Sequence, residues 1–392
     1  MVNLSAATPM SAPFTPAFDY QPRTRIVFGA DALEQVGVLA RDLGARRVLL
    51  VTDKGIAAAG HPARATSFLE AAGMQVAVFD EVRENPSTAD IDRCVAVARE
   101  SGVDFLVGLG GGSSMDTAKG CNFLLTNGGR IQDYWGVNKA RSPMLPLIAI
   151  PTTAGTGSEC QSFALISDAD THQKMACGDE KAAARVAILD PLLTVSQPAR
   201  VTACTGVDAL AHALETAVTK RRSPLSGLFA REAFRLCVGA LERVLSQPGD
   251  VEARASMQLG AAYAGTAIEN SMLGAAHSAA NPLTAHFGIV HGQAVGVMLP
   301  AVIRYNAADP GAQALYLELA VQVGLGSVGA LVERVEQLLD AAGMRKDLRA
   351  RAIDRSLVPV LAAEAAKQWT AGFNPRPIAA HDFEGLYAEV LG

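Results

Sequence analysis

Short β-branched apolar runs alternate with helical stretches over the first half of the chain, and the alternation stops near residue 200. Arg47-Val-Leu-Leu-Val-Thr52 reads as a buried strand after a helix over 31–43. Gln75-Val-Ala-Val-Phe79 predicts a second strand, reached through a helix over 63–72 that ends at Gly73. A helix over 90–101 leads to a third, Asp104-Phe-Leu-Val-Gly-Leu109. Leu145-Pro-Leu-Ile-Ala-Ile150 and Val186-Ala-Ile-Leu189 are further strands. Continuous apolar strands separated by helices imply a parallel sheet covered on both faces.

From Thr202 the β signal is replaced by long segments rich in Ala, Leu, Glu and Arg, broken by Gly and Pro. The expected fold is a Rossmann-like parallel-sheet nucleotide domain followed by an all-helical domain. The predicted division is 1–198 and 199–392, with the boundary near Gln197-Pro198. Residues 1–24 form an irregular arm, because Pro9, Pro13, Pro16 and Pro22 suit neither a helix nor a central strand. A length of 392 residues agrees with two domains.

Composition narrows the classes. Hydrophobic residues make up 49% and charged residues 19%, which excludes wholesale disorder. Net charge is -5, and Lys and Arg form no long run, so a nucleic-acid partner is not expected. The six cysteines (94, 121, 160, 177, 204 and 237) include no C-x-x-C pair, which argues against a disulfide framework or a thiolate zinc site. No apolar stretch approaches the roughly 18–20 residues that span a bilayer. With no signal-peptide pattern at the N-terminus, the expectation is a cytoplasmic protein without membrane partners.

Candidate chemistry begins where the strand at 104–109 runs into Gly110-Gly-Gly-Ser-Ser-Met-Asp116 and then a helix. Glycines permit a tight turn and close ligand approach, and a helix N-terminus offers free N–H groups to a pyrophosphate. A turn serving only chain reversal is the plainer reading. Pro151-Thr-Thr-Ala-Gly-Thr-Gly-Ser-Glu159 follows another strand with small hydroxyl residues, and ligands gather at strand C-terminal ends. Asp53 ends a strand, where a carboxylate can hold a ribose, favouring NAD over NADP, or simply cap a helix.

Asp208-Ala-Leu-Ala-His212 sets a carboxylate and an imidazole on one helix face, either as half of a cation site or as a local hydrogen-bonded pair. His277, on an apolar face where a satisfied core histidine is the plainer reading, and His291 lie farther along in small-residue surroundings. Together the four make an N3O set suited to Fe²⁺ or Zn²⁺. His61, His172 and His381 read as surface residues.

The order and spacing of the glycine loop, the 151–159 segment, Thr205-Gly-Val-Asp-Ala-Leu-Ala-His212, His277 and His291-Gly292 resemble the iron-containing, metal-dependent (group III) alcohol dehydrogenase family. The resemblance runs from the strand near Ile26 to at least Pro300. It implies that Asp208, His212, His277 and His291 hold the metal. It matches Gly111, Gly112, Ser113 and Asp116 to the pyrophosphate loop and Thr152 and Thr153 to nicotinamide-side contacts. Asp53 falls at the ribose position, and Lys174 looks like the lysine that reaches the cofactor. The implied activity is reversible hydride transfer between a primary alcohol, or a small diol, and NAD, by an enzyme that is a homodimer on general frequency.

One position departs from the pattern: many members have a second histidine four residues after the third ligand, and here that place is Asn281. Asn cannot act as a base near neutral pH. The proton relay then falls to water, the cofactor ribose or His286, or else Asn281 reshapes the pocket. The rival readings are a zinc polyol dehydrogenase of the glycerol type, a dehydroquinate-synthase-like lyase and a silent NAD-binding assembly protein. The lyase needs Lys and Arg clusters that the region 208–291 lacks, and the silent protein should have lost metal ligands.

Overall fold

A computed structural model describes residues 17–171, 173–349 and 353–391. Most of the expected N-terminal arm, and His172, lie outside them; residues 17–23 have no regular structure. The described residues hold nine strands: β1 (Arg25–Phe28), β2 (Arg47–Val51), β3 (Gln75–Phe79), β4 (Phe105–Gly110), β5 (Gly136–Val137), β6 (Leu147–Pro151), β7 (Phe163–Ser167), β8 (Lys174–Gly178) and β9 (Val186–Leu189).

Six of them form one parallel sheet in the order β1-β9-β6-β4-β2-β3. The apolar runs split by alternation, as strands covered on both faces must. Val48, Leu50, Phe105, Val107, Ile148 and Ile150 enter one core layer, while Leu49, Val51, Leu106, Leu147 and Ala149 enter the layer on the other face. Because β3 and β4 flank β2 on opposite sides, the winding reverses between β2 and β4. A crevice opens at such a reversal, beyond the strands' C-terminal ends. Asp53 follows β2 there, and the glycine loop follows β4.

A second sheet, β5-β8-β7, has an antiparallel β7–β8 hairpin with β5 parallel to β8. The sequence reading contains no strands here. These segments are short and half-exposed, without the continuous apolar run that marks the central strands. After β9 the described residues hold helices only. Helix Ala199–Val218 is their axis: it is buried over most of its length and packs against helices Pro224–Ser246, Val251–Glu269 and His291–Asn306.

One buried polar side chain joins the halves, and a second braces the sheet half internally. Gln258 Nε2, on helix Val251–Glu269, donates to the carbonyls of Pro151 (3.1 Å) and Asp190 (3.4 Å). Lys119, on the helix Gly112–Asn127 that starts at the glycine loop, is fully buried. Its Nζ faces Ser158 O at 2.6 Å, Ser158 Oγ at 2.9 Å, Gln161 O at 2.8 Å and Phe163 O at 3.0 Å. Burial pulls this ammonium down, while Asp116, Glu269 and Glu159 oppose the pull. Lys119 thereby pins the loop after β6 to the helix after β4.

Replacing Lys119 by Met should cost about 3–5 kcal/mol of stability, because it strands buried acceptors and carboxylates. Calorimetry showing less than about 1 kcal/mol would contradict that role. Burial pushes the neighbouring Glu159 carboxyl up to about 7. A raised folded-state pKa stabilises the protein fully below the unfolded value, and the contribution is lost as pH rises to about 7. The Glu159→Gln variant should therefore lose less stability than the parent between about pH 4.5 and 7. Parallel melting curves across that window would refute the assignment.

Candidate metal and cofactor site

Asp208, His212 and Glu215 occupy positions i, i+4 and i+7 of helix Ala199–Val218, so helical periodicity puts all three on one face. His277 stands in the first turn of helix Ala275–Phe287, and His291 opens helix His291–Asn306. The next residue, Gly292, lets that helix approach closely: a Cβ there would lie 2.1 Å from the Cys204 carbonyl oxygen. Three helices thus deliver three imidazoles to one carboxylate. Asp208 Oδ1 lies 3.5 Å from His212 Nε2, 3.5 Å from His277 Nε2 and 4.0 Å from His291 Nε2. The His212 and His277 rings are stacked with centroids 4.8 Å apart.

Asp208, His212 and His277 are buried and His291 half-buried. Asp208 Oδ1 and His277 Nε2 are buried with no hydrogen-bond partner, an expensive state unless something else satisfies them. Ligand atoms of Asp208, His277 and His291 all lie within 4.8 Å of one another. One oxygen and imidazole nitrogens converging on a single point fit Fe²⁺ or Zn²⁺.

The electrostatics show the strain of leaving such a set together. Burial works against ionising Asp208, yet the surrounding imidazoles hold its carboxyl well below the usual carboxylate range. Burial alone would lower His277, but Glu215 and Asp208 outweigh it and hold the ring up to about 9. His291 is pulled down to about 3 by burial, Asp208 notwithstanding.

Glu215 was absent from the sequence reading. It is buried, its Oε2 lies 2.5 Å from His277 Nδ1, and its Oε1 accepts the Ala276 N–H at 2.7 Å. A carboxylate on the far nitrogen fixes the ring's tautomer and leaves Nε2 as the coordinating atom. The signal that would have found it is its place three residues after His212 on the Asp208 face.

The crevice at the sheet's reversal holds the second group of residues. Gly110 has φ +150°, and Gly111 precedes helix Gly112–Asn127 with no side chain capping the helix. The Ser114 N–H turns back to the Gly111 carbonyl at 3.1 Å, which leaves the Gly112 and Ser113 N–H groups uncapped at the crevice. A Cβ on Gly112 would lie 2.8 Å from Thr156 Cγ2, and one on Gly111 would lie 3.4 Å from Thr153 Cγ2, so the two loops lie against each other. Ser114 Oγ and Thr152 Oγ1 are buried there without partners, as is Thr52 Oγ1 at the end of β2. Thr52 and Ser114 were not singled out from sequence.

Asp53 caps helix Lys54–Ala58 through the Ile56 N–H (2.9 Å), so the plainer of its two readings describes one oxygen. Its Oδ2 faces the glycine loop, 3.6 Å from where a Gly110 Cβ would be. Ser113 Oγ accepts the Asn85 N–H at 3.3 Å. Asp116 turns inward: it is buried and accepts from Ser158 Oγ at 2.9 Å, bracing the loop from beneath. Lys174 donates to Asn85 Oδ1 at 3.3 Å, and both Asp116 and Asp208 act on its ammonium. Asn85 also donates its N–H to Ser113 Oγ, so Lys174 stands beside the glycine loop.

Other histidines separate from the site. His286 is nine residues after His277, half a turn out of phase on the same helix, and its Nε2 pairs with Glu364 Oε2 at 2.9 Å on the outside. The expectation that it could serve the pocket is corrected on that ground. Asn281, one turn after His277, donates from Nδ2 to Gln368 Oε1 at 3.0 Å. His61 is buried beside Ser196 Oγ (2.8 Å) rather than at the surface, whereas His381 is exposed as expected.

With this geometry in view, the relatives fall into place. The model of the iron-containing alcohol dehydrogenases matches residues 22–191, and that of the family's C-terminal part matches residues 202–391. The chain belongs to the iron-containing alcohol dehydrogenase family and is an oxidoreductase of that class. It is 34% identical over 373 residues to alcohol dehydrogenase 4 of Schizosaccharomyces pombe, covering 95% of this chain and 87% of that one. It is 39% identical over 280 residues to an NAD-dependent methanol dehydrogenase of Bacillus methanolicus, covering 71% of this chain and 74% of that one. The crystal structure of a 1,3-propanediol oxidoreductase superposes with a TM-score of 0.90 at 32% identity, covering 96% of this chain and all (100%) of the other.

The Glu215→Gln variant keeps a hydrogen-bonding side chain of the same shape but removes the charge behind His277. Its affinity for Fe²⁺ or Zn²⁺, measured by competition with a chelator, should fall about 10–100-fold. Unchanged affinity would show that Glu215 supports the helix and not the histidine.

Proposed function

We propose that the protein is a metal-dependent, NAD-linked dehydrogenase that interconverts a primary alcohol or small diol with its aldehyde. The observation that carries this reading is the unpartnered pair Asp208 Oδ1 and His277 Nε2, buried in a fold that also has a glycine-loop crevice. Asp208, His212, His277 and His291 hold Fe²⁺, or Zn²⁺ in its place. An ion held by these four residues would supply Lewis-acid polarisation of a substrate oxygen. Residues 1–198 serve as the cofactor domain and 199–392 as the metal and substrate domain, with catalysis between them.

The free N–H groups at the start of helix Gly112–Asn127, with Gly111, Gly112 and Ser113, receive the pyrophosphate of NAD. Asp116 keeps that loop in shape from below. Asp53 accepts the adenosine ribose hydroxyls and repels a 2′-phosphate, which sets the preference for NAD. Thr152 and Thr153 meet the nicotinamide side, and Lys174 reaches toward the cofactor from β8. Holding both reactants at contact distance supplies much of the rate.

Among the described residues no imidazole besides His212, His277 and His291 stands ready to take the proton, since Asn281 occupies the usual second histidine's place and His286 faces outward. The proton passes to water in the cleft. The Asn281–Gln368 amide pair adds hydrogen-bonding groups one turn from His277, which favours a substrate with a second hydroxyl over a simple alkyl alcohol. That preference brings the polyol reading within the same mechanism. The protein works in the cytoplasm as a homodimer, the commonest closed assembly.

The test is NADH formation from ethanol, 1-butanol, 1,2-propanediol and glycerol by chelator-stripped protein reloaded with Fe²⁺ or Zn²⁺. NADP⁺ runs in parallel, and His277→Ala serves as the control. Turnover restored by metal, faster with NAD⁺, highest for the diol and abolished in the variant is the expected result. Failure of every metal and substrate, despite NAD⁺ binding, overturns the proposal.

A further inference from the structure

Arg254 stands in the first turn of helix Val251–Glu269 with its side chain almost completely buried. Its Nε donates to the Pro248 carbonyl at 2.9 Å, and its Nη1 donates to Thr202 Oγ1 at 3.2 Å. Its Nη2 is buried and has no partner. Charge compensation is missing as well. The neighbouring Asp250 caps the Ala253 N–H and pairs with Arg243 at 2.6 Å. Glu252 also turns to Arg243, at 3.1 Å, and is exposed. No carboxylate among the described residues forms an ion pair with Arg254. Burial pulls its guanidinium below the ordinary arginine value, and no acidic group opposes that pull.

A guanidinium has five N–H donors and no acceptor, and it keeps its charge at any working pH. Burying such a charge without a partner costs several kcal/mol. Beside it lies a cavity of about 10 Å³, room for one small occupant. Arg254, Thr202, Thr205 and Gln197 give it a polar side, and Leu241 and Met257 give it an apolar wall. Gln197 Nε2 donates to Thr205 Oγ1 at 2.9 Å and keeps a second N–H. Thr205 Oγ1 in turn donates to the Val201 carbonyl at 2.9 Å, so the polar side presents the fixed positive charge of Arg254, the Thr202 hydroxyl and that Gln197 N–H. A water molecule there would satisfy the donors and leave the charge uncompensated, whereas a compact anion satisfies both.

We propose that this cavity is a binding site for a small monovalent anion of the chloride class, held by Arg254 Nη2 and Thr202. The position gives the anion a structural consequence. Thr202 and Thr205 belong to the helix that carries Asp208 and His212, and Ala154 of the 151–159 loop also lines the cavity. That loop is seated directly on the helix, since a Cβ on Gly155 would lie 2.5 Å from Thr205 Cβ. The anion braces the cofactor-side loop against the metal-bearing helix.

The test uses the full-length, metal-loaded protein. Melting temperature is followed as sodium gluconate is exchanged for sodium chloride or bromide at constant ionic strength. A saturable rise with either halide is expected in the parent and its loss in Arg254→Met. In Thr202→Val, half-saturation should need about tenfold more chloride, as removal of one donor to a charged group implies. Crystals grown in bromide should show an anomalous peak beside Arg254 Nη2. A parent indifferent to halide, an equal response in Arg254→Met, or an ordered water without anomalous signal in the cavity would each overturn the proposal. Should Arg254→Met fail to fold, the parent titration, Thr202→Val and the bromide crystals still decide it.

Discussion

One buried oxygen, Asp208 Oδ1, faces three imidazole nitrogens and accepts no hydrogen bond. A protein interior tolerates this arrangement only where something completes it, and much of the helical half is organised around it. Helix Ala199–Val218 supplies the carboxylate and one imidazole from a single face. Glu215, a turn farther on, reaches across to fix His277 on another helix. Gly292 yields its side chain so that a third helix can approach to within contact of Cys204. Each element is placed by packing, yet the packing converges on one polar point.

The sheet's contribution is of a different kind. Its strands are apolar on both faces, and their function is to end in the right places. The winding reverses between β2 and β4, so Asp53 and the uncapped helix at Gly112 open onto the same crevice. The loop after β6 completes it, and Lys119 and Gln258 tie that loop to both halves. Buried hydroxyls of Thr52, Ser114 and Thr152 stand partnerless around the same opening. Gln258 thus links the helical half to the end of β6, from which that loop leaves, and Lys119 links the loop to the helix after β4.

Much of this was legible along the chain. The continuous apolar runs announced the central strands, and their disappearance near residue 200 announced the helices, because burial on two faces and burial on one stripe leave different periods. Asp208 and His212 could be paired from their i, i+4 spacing. Helical phase also carried information that was not used: Glu215 falls on the Asp208 face, and His286 falls opposite His277. The β7–β8 hairpin was hidden because half-exposed strands lack a continuous apolar signature.

What the sequence determined by itself is local: which segments are strands or helices, where glycine permits a turn, and which side chains can donate, accept or carry charge. These follow from periodicity and side-chain chemistry, both properties of neighbours in the chain. The tertiary structure alone decided which groups meet. It set His277 and His291 beside Asp208 across more than sixty residues, turned Asp116 inward to Ser158, paired Asn281 with Gln368 and left Arg254 buried without a carboxylate. Burial and long-range approach belong to the packed molecule, since the cost of an unpartnered charge or oxygen depends on everything packed around it.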